Sequence, residues 1–114
     1  MSAAPMTMVG GLNAGLRASL DHDPRVLLMG EDIATLGGVF RVTDGLAKDF
    51  GDQRVFDTPL AESGILGTAI GLAMAGFRPV VEIQFVGFVF PAFDQIVTQL
   101  AKHHSRSAGH MPLP

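Results

Sequence analysis

The feature that most limits the fold is a run of four apolar residues at 26–29, with no polar residue between them. Side chains of a strand point alternately to opposite faces, so an unbroken apolar run predicts a strand that is covered on both faces. Leu12, Leu16 and Leu20 precede this run at the fourfold spacing of an amphipathic helix. Helix and strand patterns then alternate in the order α, β, α, β, α, β, α. This order predicts an α/β fold, in which a parallel sheet has helices on both faces.

The other predicted elements are bounded by turn and capping residues. The remaining strands are expected at residues 54–59 and 78–88, and the remaining helices at residues 43–50, 62–76 and 90–104. Thr43 is expected to cap the second helix, and Gly51 to follow its end. Gly76 is expected to close the third helix, and Pro91 is compatible with the first turn of the fourth.

Composition argues against several classes of function. The 114 residues are 47% apolar and carry a net charge of −3, so binding to nucleic acid or to a membrane surface is not predicted. The chain has no cysteine, which excludes disulfides and fits a cytoplasmic location. The longest apolar stretch, 64–77, is shorter than the about 20 residues that span a bilayer. His103, His104 and His110 have no matching acidic residues, and no metal site is predicted.

Polar residues follow each predicted strand, in segments 30–32, 57–62 and 84–88. Because parallel sheets bind ligands at the carboxyl ends of their strands, these segments are expected to converge on one site. Glu31 and Asp32 could bind a metal, a sugar or a cofactor amine there. They could equally be solvated or cap a turn.

Glu62 opens an otherwise apolar helix and has two interpretations. A carboxylate in the first turn of a helix is stabilised by the helix dipole by about 0.3–1 kcal/mol, which needs no further function. Alternatively, Glu62 is a carboxylate in an apolar surround that shares or donates a proton. Leu60, Ala61, Ile65 and Leu66 would supply that surround.

Two further patterns also have a structural and a functional interpretation. Small residues recur every four positions in the third helix, at Gly67, Gly71 and Ala75, which fits either close packing on the sheet or contact with a helix of another subunit. The phenylalanines near the third strand are expected to be mostly core residues, namely Phe85, Phe88, Phe90 and Phe93. Phe88 could instead stack on a planar ligand.

Three long segments, 27–46, 54–85 and 90–109, carry a specific resemblance. They resemble the beta subunit of the thiamine diphosphate-dependent decarboxylating component of 2-oxo acid dehydrogenase complexes, and the resemblance extends over residues 6–114. It implies the pyrimidine-binding half of the transketolase-like fold. Chains of that family are longer, so residues 1–114 are expected to be the N-terminal part of the pyrimidine-binding domain, truncated, with the C-terminal remainder absent and the isolated chain inactive.

The resemblance also implies roles for individual residues. Glu62 matches the glutamate that hydrogen-bonds a ring nitrogen of the cofactor's aminopyrimidine and so activates the cofactor. Glu31 matches a residue that supports this glutamate, and Leu60 matches a residue that contacts the pyrimidine ring. Gln84 and Phe88 match positions that line the same pocket, with Phe88 packed on the ring.

The cofactor and partners follow from the same resemblance. Thiamine diphosphate is expected, with its diphosphate and magnesium held by an alpha subunit. This agrees with the absence of a phosphate-binding loop, because the glycines of residues 64–71 are not followed by a lysine and a serine or threonine. A heterotetramer of two alpha and two beta chains is implied, together with a lipoyl acyltransferase component that receives the acyl group.

The substrate is expected to be a branched-chain 2-oxo acid, with pyruvate next, because residues 82–85 and 90–97 look more like the branched-chain members than the animal pyruvate members. Bacterial pyruvate members can have similar segments. An acetoin-cleaving or transketolase-like thiamine diphosphate enzyme is an alternative. A non-catalytic assembly fragment is another, although the intact segment 61–64 argues against decay of the site.

Overall fold

A computed structural model describes residues 5–114, and helices and strands alternate along it as predicted. The elements are α1 (Met8–His22), β1 (Val26–Gly30), α2 (Leu46–Phe50), β2 (Val55–Asp57), α3 (Glu62–Met74), β3 (Arg78–Glu82), a 3-10 helix (Val86–Val89), α4 (Phe90–Asp94), a π-helical segment (Gln95–Leu100) and α5 (Ala101–Arg106). No helix among these residues is long and apolar enough to cross a membrane.

The three strands form a parallel sheet in the order β2-β1-β3. All five residues of β1 are buried, because this central strand has a neighbour on each side and helices on each face. Both faces of the apolar strand β1 are therefore covered, as its sequence predicts. The predicted α/β architecture is confirmed.

Successive side chains of β1 enter two separate cores. Leu28 packs on one face with Leu20 of α1 and Leu46 of α2. Met29 packs on the opposite face with Ile65 and Ala69, which both belong to α3. Burying one such aliphatic side chain contributes about 1.5–3 kcal/mol. The alternation of β1 thus fixes which helices cover which face.

The predicted cap of the second helix is wrong. Gly45, in the left-handed conformation with φ 77°, occupies the N-cap position of α2. Thr43 is only 3% exposed, and its hydroxyl donates to the Ile33 carbonyl at 2.6 Å. The hydroxyl therefore closes the preceding loop, and α2 begins only after Gly45, so Thr43 lies two residues before the N-cap position. Gly51 and Gly76 follow α2 and α3 with positive φ, as predicted.

The third strand and the last helix differ from the prediction in extent. β3 ends at Glu82, and a 3-10 helix occupies part of the residues expected to continue it. Pro91 lies in the first turn of α4, as predicted, but the helix passes through a π-helical segment. Within that segment Thr98 Oγ1 donates to Asp94 O at 2.7 Å, and Arg106 donates to Thr98 O at 2.7 Å. These side-chain bonds go to one carbonyl just before the segment and one within it. They do not change the hydropathy pattern, so the sequence gives no sign of them.

The phenylalanines after β3 are not core residues among residues 5–114. Phe85, Phe88, Phe90 and Phe93 are each between 45% and 73% exposed. They lie beyond the end of the strand, where the sheet no longer provides a surface to cover. The expectation that they are mostly core is wrong for this chain.

Candidate functional site

The carboxyl ends of the three strands meet at one edge of the sheet. Gly30, the last residue of β1, pairs with Asp57 of β2 and with Glu82 of β3. A side chain at Gly30 could not be accommodated, because its Cβ would lie 2.8 Å from the Glu82 carbonyl oxygen. The segments that follow the strands therefore begin side by side, which confirms the predicted convergence.

Glu62 is the first residue of α3 and is half-buried. The preceding residue, Ala61, is the N-cap and offers no side-chain hydrogen bond to the helix. The amino-terminal N–H groups of α3 and the helix dipole therefore act on the Glu62 carboxylate, which is the acidic residue of the first turn. This placement fits both interpretations of Glu62, as a helix-stabilising charge and as a chemical group.

Glu31, immediately after β1, is the electrostatic neighbour of Glu62. Its pKa is raised, first by desolvation and then by the negative charges of Glu62 and Asp32. The repulsion from Glu62 means that its carboxyl group lies close enough to raise the pKa of Glu31. The site therefore holds one carboxyl group that takes up a proton more readily than an ordinary glutamate, beside a second one at a helix N-terminus.

Gln84 and Leu60 complete the surroundings of these acids. The Gln84 amide donates to the Glu31 carbonyl oxygen at 3.4 Å, a long bond that joins the segment after β3 to the segment after β1. Leu60, two residues before Glu62, is 78% exposed. Phe88 lies on the 3-10 helix four residues after Gln84, and it is also exposed. The site thus combines carboxyl and amide groups with uncovered apolar surface.

The family resemblance assigns these residues to a pocket for an aminopyrimidine ring. Such a ring has hydrogen-bonding nitrogens on its edge and apolar faces, so it needs polar groups in its plane and apolar or aromatic groups above and below. Glu62, Glu31 and Gln84 provide polar groups at one edge of the sheet, and Leu60 and Phe88 provide apolar ones. No group of three or more acidic, histidine or cysteine side chains within residues 5–114 is placed to hold a metal ion.

Asp57 is a residue of the site region that sequence reasoning missed. Its carboxylate accepts hydrogen bonds from Ala34 N at 2.7 Å, Thr35 N at 3.2 Å and Thr35 Oγ1 at 2.8 Å. Desolvation is the largest single influence and raises its pKa, but the hydrogen bonds from Ala34, Thr35 and Ile33 together outweigh it, and the pKa is lowered. Asp57 therefore fastens the loop after β1 to the end of β2. No local pattern in the sequence reveals a bond between residues 22 or 23 positions apart.

Two further phenylalanines near the site belong to a chain of aromatic contacts. Phe40 packs edge-to-face on Phe85 with ring centroids 5.3 Å apart, and Phe85 packs edge-to-face on Phe88 at 5.4 Å. The sequence pattern gives no reason to select Phe40, and it predicts that Phe85 is a core residue. Alternation could not have found this contact, because all three residues lie outside regular strands.

Comparison with known proteins places the chain in a family. A family model described as "Transketolase, pyrimidine binding domain" matches residues 4–113, so the chain belongs to this family of pyrimidine-binding domains. The resemblance noted in the sequence and the predicted fold are thereby confirmed. Membership also agrees with thiamine diphosphate as the cofactor, since these domains belong to enzymes that use it.

Individual relatives show which proteins with this domain the chain is similar to. The chain is 66% identical over 109 residues to the pyruvate dehydrogenase E1 component subunit beta of Leifsonia xyli, with 96% of this chain and 32% of that protein covered. It is 58% identical over 111 residues to the subunits of the same name from Staphylococcus epidermidis and Staphylococcus aureus. These alignments cover 97% of this chain and 34% of each of those proteins. The chain spans about a third of the length of the curated relatives it matches. These relatives are named for pyruvate, so the preference for a branched-chain substrate finds no support.

Proposed function

We propose that this chain is the N-terminal part of the pyrimidine-binding domain of a beta subunit in a thiamine diphosphate-dependent 2-oxo acid dehydrogenase. The observation that carries the proposal is the neighbouring pair Glu31 and Glu62 at the carboxyl edge of a parallel sheet. The identity with subunits named pyruvate dehydrogenase E1 component subunit beta supports it and favours pyruvate as the 2-oxo acid.

Glu62 is the residue that we assign to the aminopyrimidine. Its carboxyl group would hydrogen-bond a ring nitrogen of the bound cofactor and exchange a proton with it. Glu31 supports this exchange, because its carboxyl group lies near Glu62 and its raised pKa favours the protonated form, which can donate a hydrogen bond. When bound, thiamine diphosphate supplies the electron sink that decarboxylation of a 2-oxo acid requires.

The neighbouring side chains orient the ring. Leu60 and Phe88 offer apolar surface to its faces and exclude water from the carboxyl pair, which strengthens the hydrogen bond to Glu62. Gln84, joined to the Glu31 carbonyl, lines the pocket beside them. Each of these side chains therefore binds or positions the ring, and Glu62 alone moves the proton.

An alpha subunit is the proposed holder of the diphosphate and its magnesium, in a heterotetramer that delivers the acyl group to a lipoyl acyltransferase. Two features of the chain support a partner here. The chain has no loop of the phosphate-binding type. Exposed apolar side chains surround the 3-10 helix, with Val86 being 89% exposed, and patches of this kind mark protein interfaces.

Glu62→Gln in the full-length subunit, assembled with its alpha partner, tests the proposal. The amide keeps the size of the side chain but cannot exchange the proton, so kcat with pyruvate is expected to fall about 10²–10⁴-fold. Asp52→Asn is the matched control, because it removes one exposed negative charge at the amino end of β2, away from the site. Its kcat is expected to stay within about twofold of the wild-type value.

Retention of pyruvate turnover by Glu62→Gln would sink the assignment of Glu62. The substrate is tested by comparing kcat/KM for pyruvate with that for 3-methyl-2-oxobutanoate, a branched-chain 2-oxo acid. A higher value for pyruvate supports the proposal. A higher value for the branched-chain acid refutes the choice of pyruvate while leaving the reaction class in place.

A further inference from the structure

We propose that Phe40 is a positioning residue of the pyrimidine pocket, which holds the ring of Phe88 in place through Phe85. This inference rests on the proposed function, because it takes Phe88 to be the aromatic face on which the pyrimidine packs. The other residues of the pocket are Glu31 and residues of the segments that follow β2 and β3. Phe40 would be a second pocket residue from the loop after β1.

The three rings form a continuous chain of edge-to-face contacts. Phe40 and Phe85 have centroids 5.3 Å apart and an interplanar angle of 68°, and Phe85 and Phe88 have centroids 5.4 Å apart and an angle of 72°. Both contacts lie within the range that aromatic pairs prefer. The rings are 52%, 45% and 47% exposed, so no buried core surrounds them within residues 5–114. Their contacts with one another are therefore a main constraint on where each ring points.

The Phe40 end of this chain is anchored. Thr43 donates through its hydroxyl to Ile33 O at 2.6 Å and through its backbone N–H to Gly37 O at 3.1 Å, which closes the loop on both sides of Phe40. Gly37 has φ +76°, and a Cβ there would lie 2.7 Å from Asp44 Cα, so the loop packs tightly against itself. The loop therefore presents Phe40 from a fixed backbone.

The Phe88 end is held mainly through its backbone. Its 3-10 helix is four residues long, has no side-chain cap and continues directly into α4. The Phe88 N–H donates to Phe85 O at 2.9 Å, which fixes Phe88 relative to Phe85. Val86 between them is almost fully exposed. The contact from Phe40 to Phe85 is thus a link from the anchored loop to the segment that carries Phe88.

A double-mutant cycle in the assembled full-length enzyme tests this link. The dissociation constant of thiamine diphosphate is measured by calorimetry for wild type, Phe40→Ala, Phe88→Ala and the double variant. Phe40→Ala is expected to weaken binding about 2- to 13-fold, the factor that one edge-to-face aromatic pair provides. In the Phe88→Ala background the same change is expected to have no further effect, because the ring that it positions is gone.

A second probe separates positioning from general damage. The diphosphate of 4-methyl-5-(2-hydroxyethyl)thiazole lacks the pyrimidine, so its affinity is expected to be the same in wild type and Phe40→Ala. Val39→Ala is the matched control, since Val39 is the exposed neighbour of Phe40 and does not belong to the aromatic chain. Phe40→Tyr, which keeps the ring edge, should bind thiamine diphosphate as wild type does, whereas Phe40→Leu should bind it as weakly as Phe40→Ala.

Three results overturn the inference. These are additive effects of Phe40→Ala and Phe88→Ala, equal weakening of both probes, and wild-type binding by Phe40→Leu. If Phe40→Ala fails to fold, the leucine and tyrosine variants decide the question alone. The proposed function is judged separately. It fails if the assembled wild-type enzyme does not turn over a 2-oxo acid, whereas additive effects in an enzyme that does so remove only the role of Phe40.

Discussion

Replacing Thr43 with valine is expected to lower the free energy of unfolding of this chain by about 1–3 kcal/mol. Valine keeps the shape of threonine but removes the hydroxyl that donates to Ile33 O at 2.6 Å. Thr43 is 3% exposed, so water cannot replace the lost donor, and the carbonyl is left with the desolvation cost of a buried polar group. The loss of stability is larger than the net contribution of an ordinary hydrogen bond, because the Ile33 carbonyl stays buried without its donor.

Urea titration followed by far-ultraviolet circular dichroism measures this loss. The chain has no tryptophan or tyrosine, so fluorescence of those residues cannot report unfolding. With a slope of about 2 kcal/mol per molar urea for a small protein, a loss of about 2 kcal/mol moves the midpoint down by about 1 M.

Two variants make the Thr43 test specific. Thr43→Ser keeps the hydroxyl and loses only a methyl group, so it is expected to cost about 1 kcal/mol or less. Thr98→Val removes a hydroxyl that donates to a carbonyl four residues earlier at an exposed position, and its cost is expected to stay below about 0.5 kcal/mol. The reasoning is refuted if Thr43→Val unfolds at the wild-type midpoint, or if Thr43→Ser is destabilised more than Thr43→Val.

Three further predictions concern the core and the ionisable groups. Leu28→Ala is expected to cost about 2–5 kcal/mol in the same urea titration, because Leu28 is fully buried in the central strand, and a cost below about 1 kcal/mol contradicts the described core. The raised pKa of Glu31 means that its contribution to stability falls as pH rises above the usual value of 4.5, so Glu31→Gln should be more stable than wild type near neutral pH and equal to it in acid. A Glu31→Gln variant that is less stable than wild type at neutral pH contradicts this sign. The lowered pKa of Asp57 has the opposite consequence: its contribution is present near neutral pH and is lost as pH falls through a value below 3.8, so Asp57→Asn should lower the melting temperature at neutral pH but not in strong acid. An equal drop at both pH values would show that the loss comes from something other than the charge.

The sequence predicts those parts of the fold that depend on local periodicity. The apolar run in β1, the fourfold leucine spacing in α1 and the glycines after α2 and α3 each correspond to an observed element or boundary. The convergence of the strand ends was also predictable, because it follows from parallel topology alone. These features need no knowledge of which distant residues touch.

The features that could not be predicted depend on contacts between distant segments. Thr43 has the residue type of a helix cap, but a carbonyl ten residues earlier takes its hydroxyl. Asp57 looks like an ordinary residue at a strand end, and its partners Ala34 and Thr35 are fixed only by the fold. The exposed phenylalanines follow the same principle, since hydropathy predicts a preference for burial but does not show where the sheet stops. The roles of Glu31, Leu60, Glu62, Gln84 and Phe88 come from the family resemblance and stay predictions, as does the assignment of residues 1–114 to one part of a domain.

Because side chains of β1 alternate between its two faces, two separate cores lie under different parts of the site. Leu28 and Ile33 belong to the core under the loop that carries Phe40, whereas Met29, Ile65 and Ala69 belong to the core under the helix that begins with Glu62. The two cores share a strand but no buried side chain. Sequence change can therefore accumulate in one core without removing a buried side chain of the other, so the supports of Phe40 and of Glu62 can be altered separately in evolution or by design.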